Sequence, residues 1–331
     1  MSVRIPKAKL DILRLLTQGG FHSGEEIGQR LGISRAAVSK HMKGIQEWGV
    51  EIYSLPGKGY QLAQPMTLLD GEYLQQQCVR PVHLYPVIDS TNQYLLDRIE
   101  SLESGTTCIA EYQSQGRGRR GRQWVSPFGA NLYLSMYWRL DAGMAAAMGL
   151  SLVVGVALVE ALESLGIEGV KLKWPNDLYY QDKKLAGILV ELSGQAGGAA
   201  HLVIGMGMNI AMPEHIDGID QPWVSLKHLV ETQPTPPLCL LDGSVDRNQL
   251  TAALIDAWQH ALQDYEEHGM REFVERWNRI DNFLNRPIKL LMGSREISGL
   301  ARGIDEQGAV LIETDQGIEA HIGGEISLRG L

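Results

Sequence analysis

Cysteine is scarce in this 331-residue chain: three residues, at positions 78, 108 and 239, far apart and odd in number. That excludes a disulfide-built scaffold and lacks the paired spacing of a zinc site, so a reducing cytoplasm is the expected compartment. The amino terminus, MSVRIPKAKL, has no apolar core leading to a small-residue cleavage site, and no secretory signal is expected there. Low-complexity tracts are missing too. With 44% hydrophobic and 21% charged residues, the composition is that of an ordinary globular chain of two or three domains. Long hydrophobic runs reduce to one, residues 142–159, charge-free for 18 positions. Much of it is Ala and Gly, with Ser151 inside and Asp141 and Glu160 at its ends, so a helix buried in a globular domain is expected and a membrane span is not.

Charge is unevenly spread. Residues 1–64 carry +4 and the remainder −13, within a total of −9. A small basic module ahead of an acidic body points to contact with a polyanion. Leu10, Leu13 and Leu16 form one helical stripe. From Ser23 to Trp48 the pattern is helix, tight turn, helix: Ile27 and Leu31 share a face, Gly32 suits the turn, and Ser34 can cap a second helix whose Val38, Met42 and Ile45 face the same core. That helix leaves Arg35, Ser39, Lys40, His41 and Lys43 for phosphates and base edges in a major groove. Residues 52–55 and 60–62 flank Pro56-Gly57-Lys58-Gly59, a hairpin wing carrying one more cation, Lys58. Residues 1–64 therefore read as a winged helix-turn-helix, against the plainer alternative of a small helical domain with a solvated basic face.

Past Pro65 strand and helix signals alternate. Ser90-Thr91-Asn92 caps the first expected helix, 108–113 and 131–139 are expected strands, and the second alternates as a half-buried strand would. A short strand ends at Pro175, a hairpin turns at Gln181-Asp182, and 201–209 is an apolar strand. Helices run from about 248 to 277. Short strands broken by glycine turns past Asn278 suggest a small antiparallel barrel.

Chemistry concentrates in a few runs. GRGRRGRQW, residues 116–124, places Arg117, Arg119, Arg120 and Arg122 on a glycine loop. It fits G-x-G-x-x-G literally, but Pro127 and its neighbours cannot start the helix that a dinucleotide fingerprint requires. Four guanidiniums can surround phosphates, and because they repel each other the loop is expected to be open until an anion orders it. A plain exposed basic loop is the alternative. KWPND (173–177) and KKLAGIL (183–189) place lysines on neighbouring strands beside small residues. Gly205-Met206-Gly207-Met208-Asn209 ends a strand with an asparagine suited to a polar ligand group. No Walker loop occurs, so ATP, if used, is held otherwise.

The ordered set Ser90-Thr91-Asn92, GRGRRGRQW, KWPND, KLAGIL, GMGMN and the terminal GGEISLR resembles the bifunctional biotin protein ligases that also repress the biotin operon. The resemblance spans nearly the whole chain. It implies an α+β multidomain fold: winged helix over 1–64, a class II synthetase-like ligase domain with a mixed sheet over 65–278, and a small β-barrel of the Src-homology-3 type over 279–331. It implies ATP and Mg²⁺ as cofactors, biotin as substrate, and biotinyl-5′-AMP as intermediate and corepressor. The implied partners are a biotin carboxyl carrier protein, operator DNA and, with adenylate bound, a second copy of the chain.

By resemblance, Ser90, Thr91 and Gln113 lie against the ureido ring, with Asn92 beside them. Arg117, Gly118 and Arg119 belong to the ligand loop, and Lys184 stands beside the reacting carboxylate and phosphate, with Arg119 as its catalytic companion. Arg119, Arg120, Arg122, Trp124, Lys173, Asn176 and Asn209 are the expected nucleotide residues. Ser34, Arg35, Ser39, Lys40, Lys43 and Lys58 are those expected on DNA. The Mg²⁺ ligands stay open, as does the proline-rich stretch 211–247, where Trp223 is a candidate against adenine and 234–247 could be an insertion. Two other readings share the motifs: a regulator that senses a biotin-like ligand without ligating it, and a lipoate-type ligase.

Overall fold

A computed structural model of the protein describes residues 7–143, 147, 149–194, 198–213, 216–233, 237, 240–241, 244–322 and 325–327. Cys239, Pro234, Pro236 and the ends of the GGEISLR run lie outside them. Helix α1 (Lys7–Leu16) buries Ile12, Leu13 and Leu16 against α2 (Gly24–Leu31) and α3 (Arg35–Gln46). Each of the latter starts on a serine: the hydroxyls of Ser23 and Ser34 accept the N–H of Glu26 and Ala37 at 3.0 and 3.2 Å. Gly32 closes the turn at φ +66°, where a side chain would be strained. Strands β1 (Ile52–Leu55) and β2 (Gly59–Leu62) form the wing.

The central body adds α4 (Gly71–Gln77), β3 (Val82–Tyr85), α5 (Thr91–Leu96), β4 (Thr107–Ala110), β5 (Asn131–Leu140) and α6 (Leu150–Ser164). Then come β6 (Lys171–Lys173), β7 (Asp177–Tyr180), β8 (Lys183–Ser193) and β9 (Ala200–Asn209). The seven strands pair in the order β3-β4-β5-β9-β8-β7-β6, with β3 and β4 parallel and the rest antiparallel, the mixed sheet expected. Helix α7 (Leu226–Thr232) and the short pair β10 (Leu240–Leu241) and β11 (Ser244–Val245) lead to α8 (Arg247–His268) and α9 (Arg271–Ile280). Strands β12 (Pro287–Met292), β13 (Arg295–Ile304), β14 (Val310–Thr314), β15 (Gly317–His321) and β16 (Glu325–Ser327) form a separate antiparallel sheet ordered β15-β14-β13-β12-β16. Among the described residues this ladder is linear, with no rung joining β15 to β16. Among them, too, no helix is long and apolar enough to cross a membrane.

Several expectations change. Strand β5 is buried on both faces except at Arg139, not half-buried, because Leu132, Leu134 and Met136 pack in the core with α6 and α8 while Tyr137 packs with Leu95 of α5. The buried helix begins at Leu150, so the apolar run from 142 is only partly helical. Helix α4 and strand β3, ahead of Ser90, had no clear sequence signal, and α7 gives the proline-rich stretch a helix. A buried ion pair, Glu111 to Arg247 at 2.7 Å, staples the segment after the wing to the sheet: Glu111 accepts the Leu69 N–H, and Arg247 donates to the carbonyls of Thr67 and Asn131.

Asp281, largely buried after α9, accepts the Phe283 N–H at 2.8 Å, yet burial pushes its pKa up from 3.8 to about 6. A raised acid holds its proton more tightly in the folded than in the unfolded chain. Its contribution to stability is therefore greatest below pH 4, declines as the pH rises to about 6, and is constant above. Asp281→Asn keeps the acceptor and removes the charge, so denaturant melts should show a gain on the order of 2 kcal/mol at pH 7. The gain should be absent at pH 4; an equal effect at both pH values would refute this assignment.

Candidate functional site

A cleft of about 930 Å³, counted out to its open mouth, lies where the N-terminus of α5, the arginine loop and strands β7, β8 and β9 meet. Ser90 caps α5, its hydroxyl facing the Gln93 N–H at 3.4 Å. Thr91 donates from both its N–H and its hydroxyl to the Gln113 side-chain oxygen, at 2.9 and 3.1 Å. The Ser135 hydroxyl of β5 lies 2.7 Å from the Thr91 hydroxyl oxygen and 2.5 Å from the Asn92 side-chain oxygen, and its single proton serves one of these two acceptors at a time. The result is a patch of neutral, matched donors and acceptors with fixed orientation.

The cations come from two directions. The arginine loop is not the open chain expected from charge repulsion. It is closed as a tight hairpin, with Gly118 N–H on Arg122 O at 2.7 Å, Trp124 N–H on Gly116 O at 2.9 Å and a bridge between Arg117 and Gln123. Arg117 pairs with Glu191 at 2.8 Å, and Arg119 donates to Asn176 at 2.9 Å. From β8, Lys184 pairs with Asp177 at 2.9 Å and lies 5.4 Å from the Trp124 ring centre.

Local sequence explains why they fit. Successive residues of a strand face opposite sides, so Lys184 and Gly187, three apart, would be separated by the sheet. A bulge places Tyr179 opposite Lys184 and Leu178 opposite Ala186, leaving Leu185 unpaired, and Lys184 joins the Gly187 side. Gly187 and Gly207, paired across β8 and β9, then form a floor without side chains: a methyl at 207 would stand 2.4 Å from the Trp124 ring, and one at 187 would stand 3.1 Å from the Lys184 stem. The indole N–H of Trp124 is buried and has no hydrogen-bond partner among the described residues, an unmet donor beside the cleft.

The cleft thus brings together Ser90, Thr91, Asn92 and Gln113 with Arg117, Gly118 and Arg119, and with Arg120, Arg122, Trp124, Asn176 and Lys184. Two predicted residues are elsewhere. Lys173 on β6 donates to the Tyr179 hydroxyl at 3.1 Å and lies over that ring, drawn to its partner strand and away from the lining. Asn209 turns its amide to the carbonyls of Lys184 and Val224, so it braces backbone and borders a neighbouring cavity instead. Trp223, Asp220 and Gly218 line that cavity together with Arg122, Trp124 and Lys184, and the Lys184 N–H is held by Pro222 O at 3.0 Å. The unaligned proline stretch is therefore a wall beside the site. Asp177 and Gln123 went unsingled in the sequence reading, although Asp177 ends the KWPND run. Among the described residues no group of three or more His, Cys, Asp or Glu could hold a metal ion, and Asp177 is the one carboxylate lining the cleft.

On the winged module, Arg35, Lys40 and Lys43 of α3 and Lys58 of the wing are exposed. Ser39 is half-buried, and the Ser34 hydroxyl is already engaged as a cap.

Residues 84–209 match the Biotin/lipoate A/B protein ligase family, residues 9–61 an HTH domain and residues 283–329 the Biotin protein ligase C terminal domain. Over 322 residues, 97% of each chain, the protein is 53% identical to "Bifunctional ligase/repressor BirA" of Salmonella typhimurium. The chain belongs to this family of bifunctional biotin ligases and repressors. The family extends to a ligase from Paracoccus denitrificans named "Biotin--[acetyl-CoA-carboxylase] ligase", 30% identical over 73% of this chain and 98% of that one. A solved biotin protein ligase from Aquifex aeolicus, in complex with biotin and ATP, superposes with a TM-score of 0.62 at 30% identity, covering 75% of this chain and 98% of that one.

For this member of the family the glycine floor is the sharpest structural requirement. Gly207→Ala forces the Trp124 ring off its seat, an overpacking cost typically of about 1–3 kcal/mol. Calorimetry should show ATP affinity down by at least about tenfold, which is ~1.4 kcal/mol. Unchanged affinity together with an unchanged near-ultraviolet spectrum would contradict this role.

Proposed function

We propose that this ligase and repressor performs both steps in the one cleft. The biotin carboxylate attacks the α-phosphate of ATP, forming biotinyl-5′-AMP and releasing pyrophosphate. The ε-amine of a lysine on a biotin carboxyl carrier protein then takes the biotinyl group and releases AMP. The observation that carries the reading is the neutral Thr91–Gln113 pair, hydrogen-bonded to the buried Ser135, and the cations Arg119 and Lys184 facing a single cleft. A carboxylate approaching a triphosphate is repelled, so catalysis here is positioning plus stabilisation of developing negative charge.

In this reading Ser90, Thr91, Asn92 and Gln113 take the ureido end. Arg117, Gly118, Arg119 and Lys184 stand at the carboxylate, and Arg119, Arg120, Arg122, Trp124 and Asn176 hold phosphates and adenine. Asn209 acts indirectly, through the Lys184 backbone. Mg²⁺ uses few protein ligands when it travels with nucleotide phosphates, and Asp177 fits as its one carboxylate. When bound, it would neutralise phosphate charge. The cytoplasm, where carrier and operator meet, is the fitting compartment.

Mass spectrometry after incubation with biotin and MgATP should find bound biotinyl-5′-AMP. Lys184→Ala and Arg119→Ala should each lower kcat/KM for carrier biotinylation by about 100-fold or more. Pyrophosphate-free ligand binding would instead favour a sensing regulator, and displacement of biotin by lipoate a lipoate ligase.

For repression, the filled cleft promotes pairing of two copies through a sheet edge of the central domain, so that two α3 helices meet two half-sites. Lys40→Ala and Lys43→Ala should each weaken operator binding and reduce the steepness of its salt dependence by about 1 in log–log slope. Operator affinity indifferent to adenylate would remove the coupling.

A further inference from the structure

We infer that Trp174 is a positioning residue for the nucleotide half of the ligase reaction, and that the C-terminal sheet takes part in the site by holding it. The inference rests on the cleft being where ATP binds. Trp174 lies in the turn between β6 and β7 and is buried, and neither it nor Gly308 is among the residues that line the cleft. Its indole N–H donates to the Gly308 carbonyl at 3.1 Å, across 134 positions of chain. The next residue is held as well: the Pro175 carbonyl accepts the Ser151 hydroxyl of α6 at 2.9 Å. Immediately beyond come Asn176 and Asp177, which do line the cleft. The Asn176 side chain donates to the Ile188 carbonyl of β8 at 2.6 Å, the Ile188 N–H donates back to the Asn176 carbonyl at 2.8 Å, and Asp177 pairs with Lys184.

The acceptor is held in place by its own surroundings. In the β13–β14 turn that carries Gly308, the Asp305 carboxylate accepts the N–H groups of Gln307 and Ala309, each at 2.9 Å, and the Asp305 carbonyl accepts the Gly308 N–H at 3.0 Å. Gly308 adopts φ +76°, and a methyl there would stand 2.9 Å from the Leu152 side chain of α6, so the turn seats on that helix only as glycine. A buried indole has no automatic partner: the N–H groups of Trp258 and Trp277 have none among the described residues. Trp174 has one because the C-terminal sheet supplies it. Leaving a buried donor or acceptor unmatched is costly, so this bond draws the turn bearing Asn176 and Asp177 to one position.

Small displacements of positioning groups are expensive in catalysis. Asp177 is the carboxylate that fits Mg²⁺, and Asn176 is a nucleotide residue in the proposed reaction. The ureido residues Ser90, Thr91 and Gln113 come instead from α5 and the segment after β4. Loss of the Trp174–Gly308 bond should therefore weaken MgATP and spare biotin.

The test compares the wild-type full chain with Trp174→Phe, Gly308→Ala and the double variant. Trp174→Phe keeps an aromatic ring and loses the donor, whereas Gly308→Ala keeps the donor and displaces the acceptor from outside the cleft. Each single variant should raise KM for MgATP about fivefold, the scale of one neutral hydrogen bond, with biotin KM within about twofold. The double variant should match the singles and stay well below the roughly 25-fold of independent effects, because either change removes the same bond. Hydrogen exchange of the full chain, read by mass spectrometry, should be about fivefold faster at the amides of Asn176 and Asp177 in all three. Ile312→Val, a buried one-methyl change on β14, should lower Tm and leave both that exchange and the KM values alone. Wild-type MgATP KM in both single variants, biotin KM rising in step with it, multiplying effects in the double variant, or the same KM change in Ile312→Val would overturn the role. A wild-type chain that makes no biotinyl-5′-AMP sinks the ligase reading, while the exchange rates still decide whether Gly308 holds the turn, so the two failures are distinguishable.

Discussion

Cations must be held close together before they can hold anions close together. The site meets this constraint by giving its charges partners that belong to other elements: Arg117 on Glu191 of β8, Arg119 on Asn176, Lys184 on Asp177 of β7. Glu191 and Asp177 are supplied by strands of the sheet and Asn176 by the turn between β6 and β7, so the geometry of these cations is inherited from the sheet and its connection. These pairs are partly exposed or shallow, and their value for stability is modest. Their value for the site is that a guanidinium already aimed needs no reorganisation as charge develops.

The sheet in turn can accept that role because it is covered nearly everywhere else. Helices α6 and α8 pack on one face and α5 on part of the other, leaving the β8–β9 surface at the cleft. There Gly187, Gly205 and Gly207 remove the side chains that would otherwise fill the space taken by Asn92 and Trp124. Removing side chains from strand centres weakens strands, and the long β5–β9–β8 ladder compensates with ten and eight paired positions on either side of β9.

The winged module is in physical continuity with this site. Trp48, just past α3, stacks on Phe128 at 5.6 Å and approaches Tyr112 at 5.9 Å, and its carbonyl accepts the Phe128 N–H. Tyr112 directly precedes Gln113, and Phe128 follows the segment that carries Trp124. Together with the Glu111–Arg247 staple, this seats the DNA-binding helices on the same backbone that shapes the cleft.

The sequence by itself determined what depends on local pattern: the helix-turn-helix with its Ser34 cap and its wing, the hairpin at Gln181-Asp182, the buried apolar helix, and the identity of the motif residues. Motifs whose chemistry is written in residue type, such as the four arginines and the lysine of KKLAGIL, were legible for the same reason. The tertiary structure alone decided which of them meet. A one-residue bulge at Leu185 turned Lys184 into the cleft, and bulges carry no reliable signature in a single chain. Lys173 and Asn209 were indistinguishable from site residues by type, yet cross-strand neighbours captured both. Glu191 and Asp177 were unremarkable carboxylates until folding set them beside Arg117 and Lys184. Electrostatic pairing is a property of distance, and distance between residues 117 and 191 exists only in the folded chain.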